Sequence, residues 1–253
     1  MDALGATLGP LLAFFLLPFL GGSYRVLFLI SFFLGLGAIG SFALVKEKSR
    51  DDKKSKPQVA PTKLKWSIFK ENKKFIFIVL AILIFGLGAL PIGLVLLKTK
   101  EVGSIGEIPL MYFVYSLMFV LTSIPLGRLA DKIGSRSVII FGFLFAIISY
   151  SGLAQASHII SMTIFFITLG IYSAATDGIQ RMLAAQMLKG DLLATGQGFL
   201  NMALGFSSLV AGILGGILWT KFGSTSALYY AAIFSFLGLL SFVLVSKNLT
   251  EKN

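Results

Sequence analysis

GRLADKIGSR, residues 127–136, gathers three basic side chains, one acid and two glycines into ten positions between two long apolar runs. The run before it is IPLMYFVYSLMFVLTSIPL (108–126) and the run after it is VIIFGFLFAIISYSGLAQA (138–156), and neither contains a charged residue. Each has about the length of 20 residues that a helix needs to cross a hydrocarbon layer of roughly 30 Å. A short charged stretch between two such runs is a turn that leaves a bilayer and re-enters it on the same side. Around this turn the chain must be a bundle of membrane helices.

The same pattern recurs along the whole sequence. Eight apolar spans are predicted, at about residues 2–20, 26–45, 75–97, 108–127, 138–156, 159–186, 193–219 and 226–245. The composition agrees: 56% of residues are hydrophobic and 13% charged, and a mean hydropathy of +0.89 exceeds what a soluble core can hide. Continuous runs exclude a membrane barrel, whose strands alternate over about ten residues. The fold class expected is therefore an all-α membrane protein, a polytopic bundle of about eight transmembrane helices. The first span carries no preceding basic residue and no small-residue cleavage site, so no removable signal peptide is expected. With no cysteine in the chain, disulfides, thiolate catalysis and thiolate metal sites are excluded.

A net charge of +11 would raise nucleic acid as a partner for a soluble chain; here its placement gives another meaning. Alternating the loops between two sides puts the chain start, the 46–74 stretch, 128–137, the 187–192 turn and the C-terminus together. That side holds nearly all the basic residues. The other side has Arg25, Lys98, Lys100 and Lys221, and Arg181 falls inside the sixth span. The positive-inside rule makes the basic side cytoplasmic, with the C-terminus there. No nucleic-acid partner follows from this charge.

The longest non-membrane stretch separates two spans from six. It reads as a charged linker in which Pro57 and Pro61 block helix, and residues 63–70, KLKWSIFK, would suit either an interfacial helix with Trp66 at the headgroups or a solvated tail. Laying residues 1–48 over 201–248 without a gap matches Ala3-Leu4-Gly5 to Ala203-Leu204-Gly205 and SFALV (41–45) to SFVLV (241–245). Internal repeats build many secondary transporters. One repeat unit is complete in six spans; the other is represented by its last two. The expected domains are 1–48 as the end of an N-terminal half, 49–74 as a basic cytoplasmic linker and 75–253 as a complete C-terminal half, with four helices missing before Met1.

GRLADKIGSR resembles the signature loop of the major facilitator superfamily, in which a glycine, a leucine, an aspartate, basic residues and a second glycine recur after the second helix of each six-helix half. Gly127, Leu129, Asp131, Lys132, Gly134 and Arg136 fit, with Arg128 at the variable position, whereas Ser135 stands where a basic residue is usual. Gly5-x-x-x-Gly9-Pro10 resembles the glycine-proline motif common in the fifth helix of exporters of that superfamily, although Ala13-Phe14 replaces its frequent glycine pair. TDGIQR (176–181) and TGQGFLNMALG (195–205) also resemble the tenth-to-eleventh helix region of its prokaryotic members. The resemblance implies helices five to twelve of a twelve-helix fold and a transporter that rocks two halves around a central cavity. It also implies a gating role for the loop, with Asp131 held against the positive end of a neighbouring helix, the start of the seventh span near Leu192. From charge alone, the loop is a topological anchor.

Within the spans, Asp177 is the acid placed well inside an apolar run, and Arg181 follows one turn later on the same face. Membrane-embedded charges face a bundle interior or a wet cavity, so the pair is either a structural bridge or part of proton coupling and gating. Tyr172, Thr176 and Gln180 share that face as candidates for the substrate path, or for ordinary interhelical hydrogen bonding. In FGLGALPIGLVLL (85–97), Gly86, Gly88, Pro91 and Gly93 would either break the helix beside a cavity or pack it closely. Gly5, Gly9 and Pro10 are expected at a helix-packing face, as are Gly205, Ala211, Gly212, Gly215 and Gly216 in the seventh span. His158 is an outer-turn residue and Trp219 an interfacial anchor.

Enzyme chemistry would need paired acids, histidines or a metal constellation, and one histidine with a single embedded acid does not provide it. No catalytic residue, metal or cofactor is expected. The expected function is secondary active transport of a small organic solute in the cell membrane. Export is favoured by the Gly9-Pro10 motif, and a proton is a candidate coupling ion. The alternative is a truncated or remnant membrane protein without transport of its own, or one that works by self-association.

Overall fold

A computed structural model of the chain describes residues 2–42, 72–188 and 192–250. Most of the linker, its 63–70 segment and the 189–191 part of the sixth turn lie outside the described residues. The elements are α1 (Asp2–Phe19), α2 (Tyr24–Phe42), α3 (Lys73–Gly86), α4 (Ile92–Leu96), α5 (Thr99–Val102), a 3₁₀ turn (Ile105–Glu107), α6 (Ile108–Ile133), α7 (Ser135–Gln155), α8 (Ile159–Met187), α9 (Leu193–Phe222) and α10 (Ser224–Thr250). From α6 onward, five helices are each long and apolar enough to cross a membrane. α1 and α2 are apolar helices of 18 and 19 residues. The third expected span is made of α3 and α4 on either side of a break. Among the described residues the chain is thus a multi-pass helical bundle, with these five helices joined by α1, α2 and the broken α3–α4 segment.

α8 is the centre of the bundle. It packs along α7 and α6; α10 packs on α7 and α3, α9 on α10 and α3, and α1 on α6. Small residues set these distances, as expected where lipid leaves packing rather than hydrophobicity to hold helices together. At Gly142 an added Cβ would lie 2.8 Å from Thr176 Cγ2, and at Gly238 2.6 Å from Phe85 Cα. Between α3 and α7, Phe85 and Phe143 stack with centroids 3.7 Å apart and planes 4° apart.

The break after Gly86 answers the question raised by FGLGALPIGLVLL: interruption and close packing occur together. A Cβ at Gly88 would meet Phe234 Cβ at 2.5 Å and the Ala231 carbonyl oxygen at 2.8 Å. Tyr230 Oη donates to the Leu87 carbonyl at 2.7 Å. Backbone groups freed in a membrane span need such partners.

At the opposite end from the basic loops, buried Lys98 donates from Nζ to Glu101 Oε2 at 2.6 Å and to Ser224 Oγ at 3.0 Å, and Ser224 Oγ donates to Glu101 Oε2 at 2.7 Å. This triad ties the end of α4 to the start of α10. Lys98 is therefore a paired structural cation as well as a loop charge. Burial pushes the Glu101 carboxyl up, but hydrogen bonds from Lys98 and Ser224 and the Lys98 charge together hold it below the ordinary glutamate range.

Three sequence expectations change. GRLADKI is not a loop: α6 runs through it to Ile133, and the turn is Gly134 alone, at φ +92°. Gly127 is helical and needs no special conformation. Next, among the described residues nothing lies within 4 Å of a Cβ added at Gly5 or Gly9, although α1 packs on α6; Thr7 and Leu17 are buried and Pro10 is half-buried. In α9, finally, the packing surface is narrower than expected. Gly215 abuts Leu90 and buried Ala211 lies on this side, Gly212 approaches Pro91 at 3.5 Å, and Gly205 and Gly216 face open space.

α2 begins at Tyr24 and α10 at Ser224, each after a turn containing glycine at positive φ (Gly21 and Gly22; Gly223).

Candidate functional site

One face of α8 carries Tyr172, Ser173, Thr176, Asp177, Gln180 and Arg181, recurring every three to four residues as a helix requires. All six line a cavity of about 460 Å³ together with stripes from α3 (Phe85, Gly86, and Ala89 in the break), α6 (Tyr112, Tyr115, Ser116, Phe119) and α9 (Leu204, Ser207, Ser208). The first, second, fourth and fifth crossing units of the six-span segment form its wall; α7 and α10 stand behind. The five residues singled out in α8 are brought together at one site.

Asp177 Oδ1 lies 3.3 Å from Arg181 Nη2, and each side chain is about half exposed, at 55% and 53%. The pair faces open cavity rather than sealed interior, which spares the desolvation cost of a buried bridge. Deeper in, Tyr172, Thr176 and Gln180 are buried. The Thr176 hydroxyl donates to the Tyr172 carbonyl at 3.0 Å, so part of its polarity is satisfied within α8. Tyr115 Oη donates to Ser173 Oγ at 3.0 Å, joining α6 to α8 across the cavity wall. Tyr112 and Tyr115 stack at 6.0 Å and 14°, and Phe85 meets Tyr172 edge-on at 5.7 Å. The wall therefore offers aromatic faces, hydroxyls and one self-compensating charge pair.

Residues 112, 115, 116 and 119 were missed in the sequence, although the clue was present: tyrosines and a serine at helical spacing inside an otherwise apolar span. Ser207 and Ser208 carried no such signal beyond being polar.

A smaller cavity of about 270 Å³ is lined by Phe119, Ser123, Gly127, Ala174, Asp177, Gly178, Ile179 and Met182. It brings the first glycine of the loop motif and Asp177 to one space. Asp131, Arg128 and Lys132 are exposed, and Asp131 makes no hydrogen bond or ion pair among the described residues. Ser135, at the position where the family pattern has a basic residue, is buried and donates to Gln186 Oε1 at 3.0 Å. Gln197 Nε2 donates to the Arg181 carbonyl at 2.7 Å, linking the two stretches TDGIQR and TGQGFLNMALG. His158 caps the start of α8 and is exposed; Trp219 is half-buried near the end of α9.

The model of the Major Facilitator Superfamily matches residues 88–253, and the chain belongs to that superfamily, whose members are membrane transporters. It is similar to an uncharacterized MFS-type transporter of Methanocaldococcus jannaschii, 27% identical over 248 residues, which are 94% of this chain and 60% of that protein. The chain thus spans about three fifths of that relative's length. Among solved structures, it is similar to the peptide transporter POT in complex with alafosfalin. The TM-score is 0.61 and identity 17%, covering 69% of this chain and 38% of that one; the likeness is one of fold.

Proposed function

We propose that this chain forms one wall of the translocation path of a secondary transporter that moves a small organic solute by alternating access. Residues 75–253 act as the complete second half, 1–48 as the last two helices of the first, and 49–74 as the linker between them. The observation that carries the reading is the convergence of Tyr172, Thr176, Asp177, Gln180 and Arg181 with three other helices on one cavity. The distribution of basic residues supports a cytoplasmic C-terminus in the cell membrane, and the Gly9-Pro10 motif supports export.

Asp177 is the candidate proton-coupling group, because protonating it would release Arg181 and change the charge of the cavity. Asp131 is the candidate latch, its carboxylate free to meet a helix start when the halves close. Substrate contacts come from both halves in this reading, so the chain alone transports little unless two copies associate.

The test is flux of a panel of labelled organic solutes in proteoliposomes, comparing the chain alone with a version carrying four more upstream helices. Flux from the longer version that falls on Asp177→Asn, together with little flux from the chain alone, is expected. Flux indifferent to Asp177→Asn would remove the coupling role. Equal flux from both versions would show that the upstream helices are dispensable.

A further inference from the structure

A second cavity, about 430 Å³, lies at the basic end of the bundle, away from the translocation path. It is lined by Asn72, Lys73, Lys74, Phe75, Arg136, Gln186 and Met187, drawn from the starts of α3 and α7 and the end of α8. We propose that this cavity binds a phosphate-bearing anion, with the headgroup of an anionic membrane phospholipid as its source.

Three cations face the space, and no carboxylate does so among the described residues. None of the three makes an ion pair or side-chain hydrogen bond among the described residues. Positive charges gathered around a concavity repel one another and raise its potential, and an anion removes that cost. Scattered loop lysines, which are enough to orient a membrane protein, would not require a shared cavity. Neutral donors complete the lining. The Gln186 amide oxygen is engaged by the buried Ser135 hydroxyl at 3.0 Å, which leaves its N–H groups to donate, and Asn72 adds a second amide.

The helices α3 and α7 both begin at this cavity, so the positive ends of their dipoles add to the side-chain charge. A guanidinium offers a planar fork for two phosphate oxygens, and ammonium groups act as point charges beside it. The apolar part of the lining selects the source. Phe75, almost fully buried, and Met187 line the site where α3 and α7 begin and α8 ends. Acyl-chain carbons next to a headgroup phosphate suit that lining; a fully hydrated ion does not.

Purified chain in a neutral detergent would be titrated with short-chain phosphatidylglycerol, with phosphatidylcholine and with inorganic phosphate, reading bound ligand by native mass spectrometry. Phosphatidylglycerol should bind in preference to phosphatidylcholine. The K73Q/K74Q/R136Q variant should lose affinity for it on the order of 100-fold, given the contribution of each basic residue to anionic-lipid attraction. The charge-preserving K73R/K74R/R136K variant should retain binding, and Lys221→Gln at the far end of α9 should leave it unchanged. If the triple variant does not fold, Lys73→Gln and Lys74→Gln, both at exposed positions, should each weaken binding several-fold. Competition by inorganic phosphate at equal concentration would assign the site to soluble phosphate compounds and keep the anion chemistry. Equal binding of the two lipids, or affinity unaltered by loss of the cations, would overturn the proposal.

Discussion

At Gly170 the packing of the helix behind the cavity wall leaves no room for one added carbon. Gly170 sits on α8 against α6, and a Cβ there would stand 2.6 Å from the Tyr115 carbonyl oxygen, 2.9 Å from Met118 Cβ and 3.1 Å from Phe119 N. Two of these neighbours are backbone atoms, so no rotamer change relieves them. Ordinary contact begins at 3.4 Å, and reaching it from the carbonyl means that the helices part by about 0.8 Å. Overpacking of this kind costs about 1–3 kcal/mol. The helix-propensity gain of Gly→Ala offsets at most about 1 kcal/mol of it. Gly170→Ala should therefore lower stability by roughly 1–2 kcal/mol, which for a chain of this size is a fall in melting midpoint of about 2–8 °C. The separation also draws Tyr115 from Ser173, whose hydrogen bond is already 3.0 Å long. The assay is thermal unfolding in detergent followed by far-ultraviolet circular dichroism, with Gly205→Ala as control, since nothing lies within 4 Å of its added Cβ. A Gly170→Ala protein as stable as wild type, or a Gly205→Ala protein equally damaged, would refute the claim that helix contact at Gly170 sets the wall.

Tyr230→Phe removes the donor to the Leu87 carbonyl and should destabilise by about 0.5–2 kcal/mol in the same melt, the range for a hydrogen bond inside a membrane bundle; no change would mean that the break has another partner. Phe85→Ala deletes a ring stacked on Phe143 and should cost about 3–5 kcal/mol, measured by denaturant titration. Because Glu101 has a lowered carboxyl pKa in the fold, the stability it adds is present above the ordinary glutamate value of 4.5 and is lost as pH falls through its lower folded value. The melting difference between wild type and Glu101→Gln should accordingly shrink on going from pH 6 to pH 3, and a constant difference would sink the assignment.

The number of spans and the grouping on α8 were legible because they depend on local patterns. Twenty apolar residues make a crossing helix whatever surrounds them, and a period of 3.6 places 172, 176 and 180 on one face. Asp177 and Arg181 were legible for the same reason, as charges are too costly in a membrane to go unnoticed. The helical continuation of α6 through GRLADKI was not. Charged residues mark where a span leaves the hydrocarbon, but they are good helix formers, so the helix ends at the first residue that needs positive φ, Gly134. The open face at Gly5 and Gly9 was also out of reach, since a small-residue stripe says that a neighbour can approach without saying which. Ser135 was noticed as a departure from a pattern; its burial against Gln186 depends on where α8 ends, a tertiary fact.

The rear helices explain why the cavity can be built on a broken span at all. The break at 87–91 frees backbone groups, and the hydroxyl of Tyr230 on α10 reaches the Leu87 carbonyl. Both α7 and α10 stand behind the wall and line none of the cavity, so α10 supplies a polar partner, and α7 the ring of Phe143 against Phe85, without occupying its space. Gly88 and Gly238 then let α10 approach α3 until side chain and backbone touch, which fixes the break from behind. With its backbone needs met on that side, the end of α3 can present Phe85 and Gly86, and the break Ala89, to the cavity. A proline and two glycines that would weaken an isolated span are in this way held by a tyrosine far away in sequence. The irregular segment is as much a product of α7 and α10 as of its own residues.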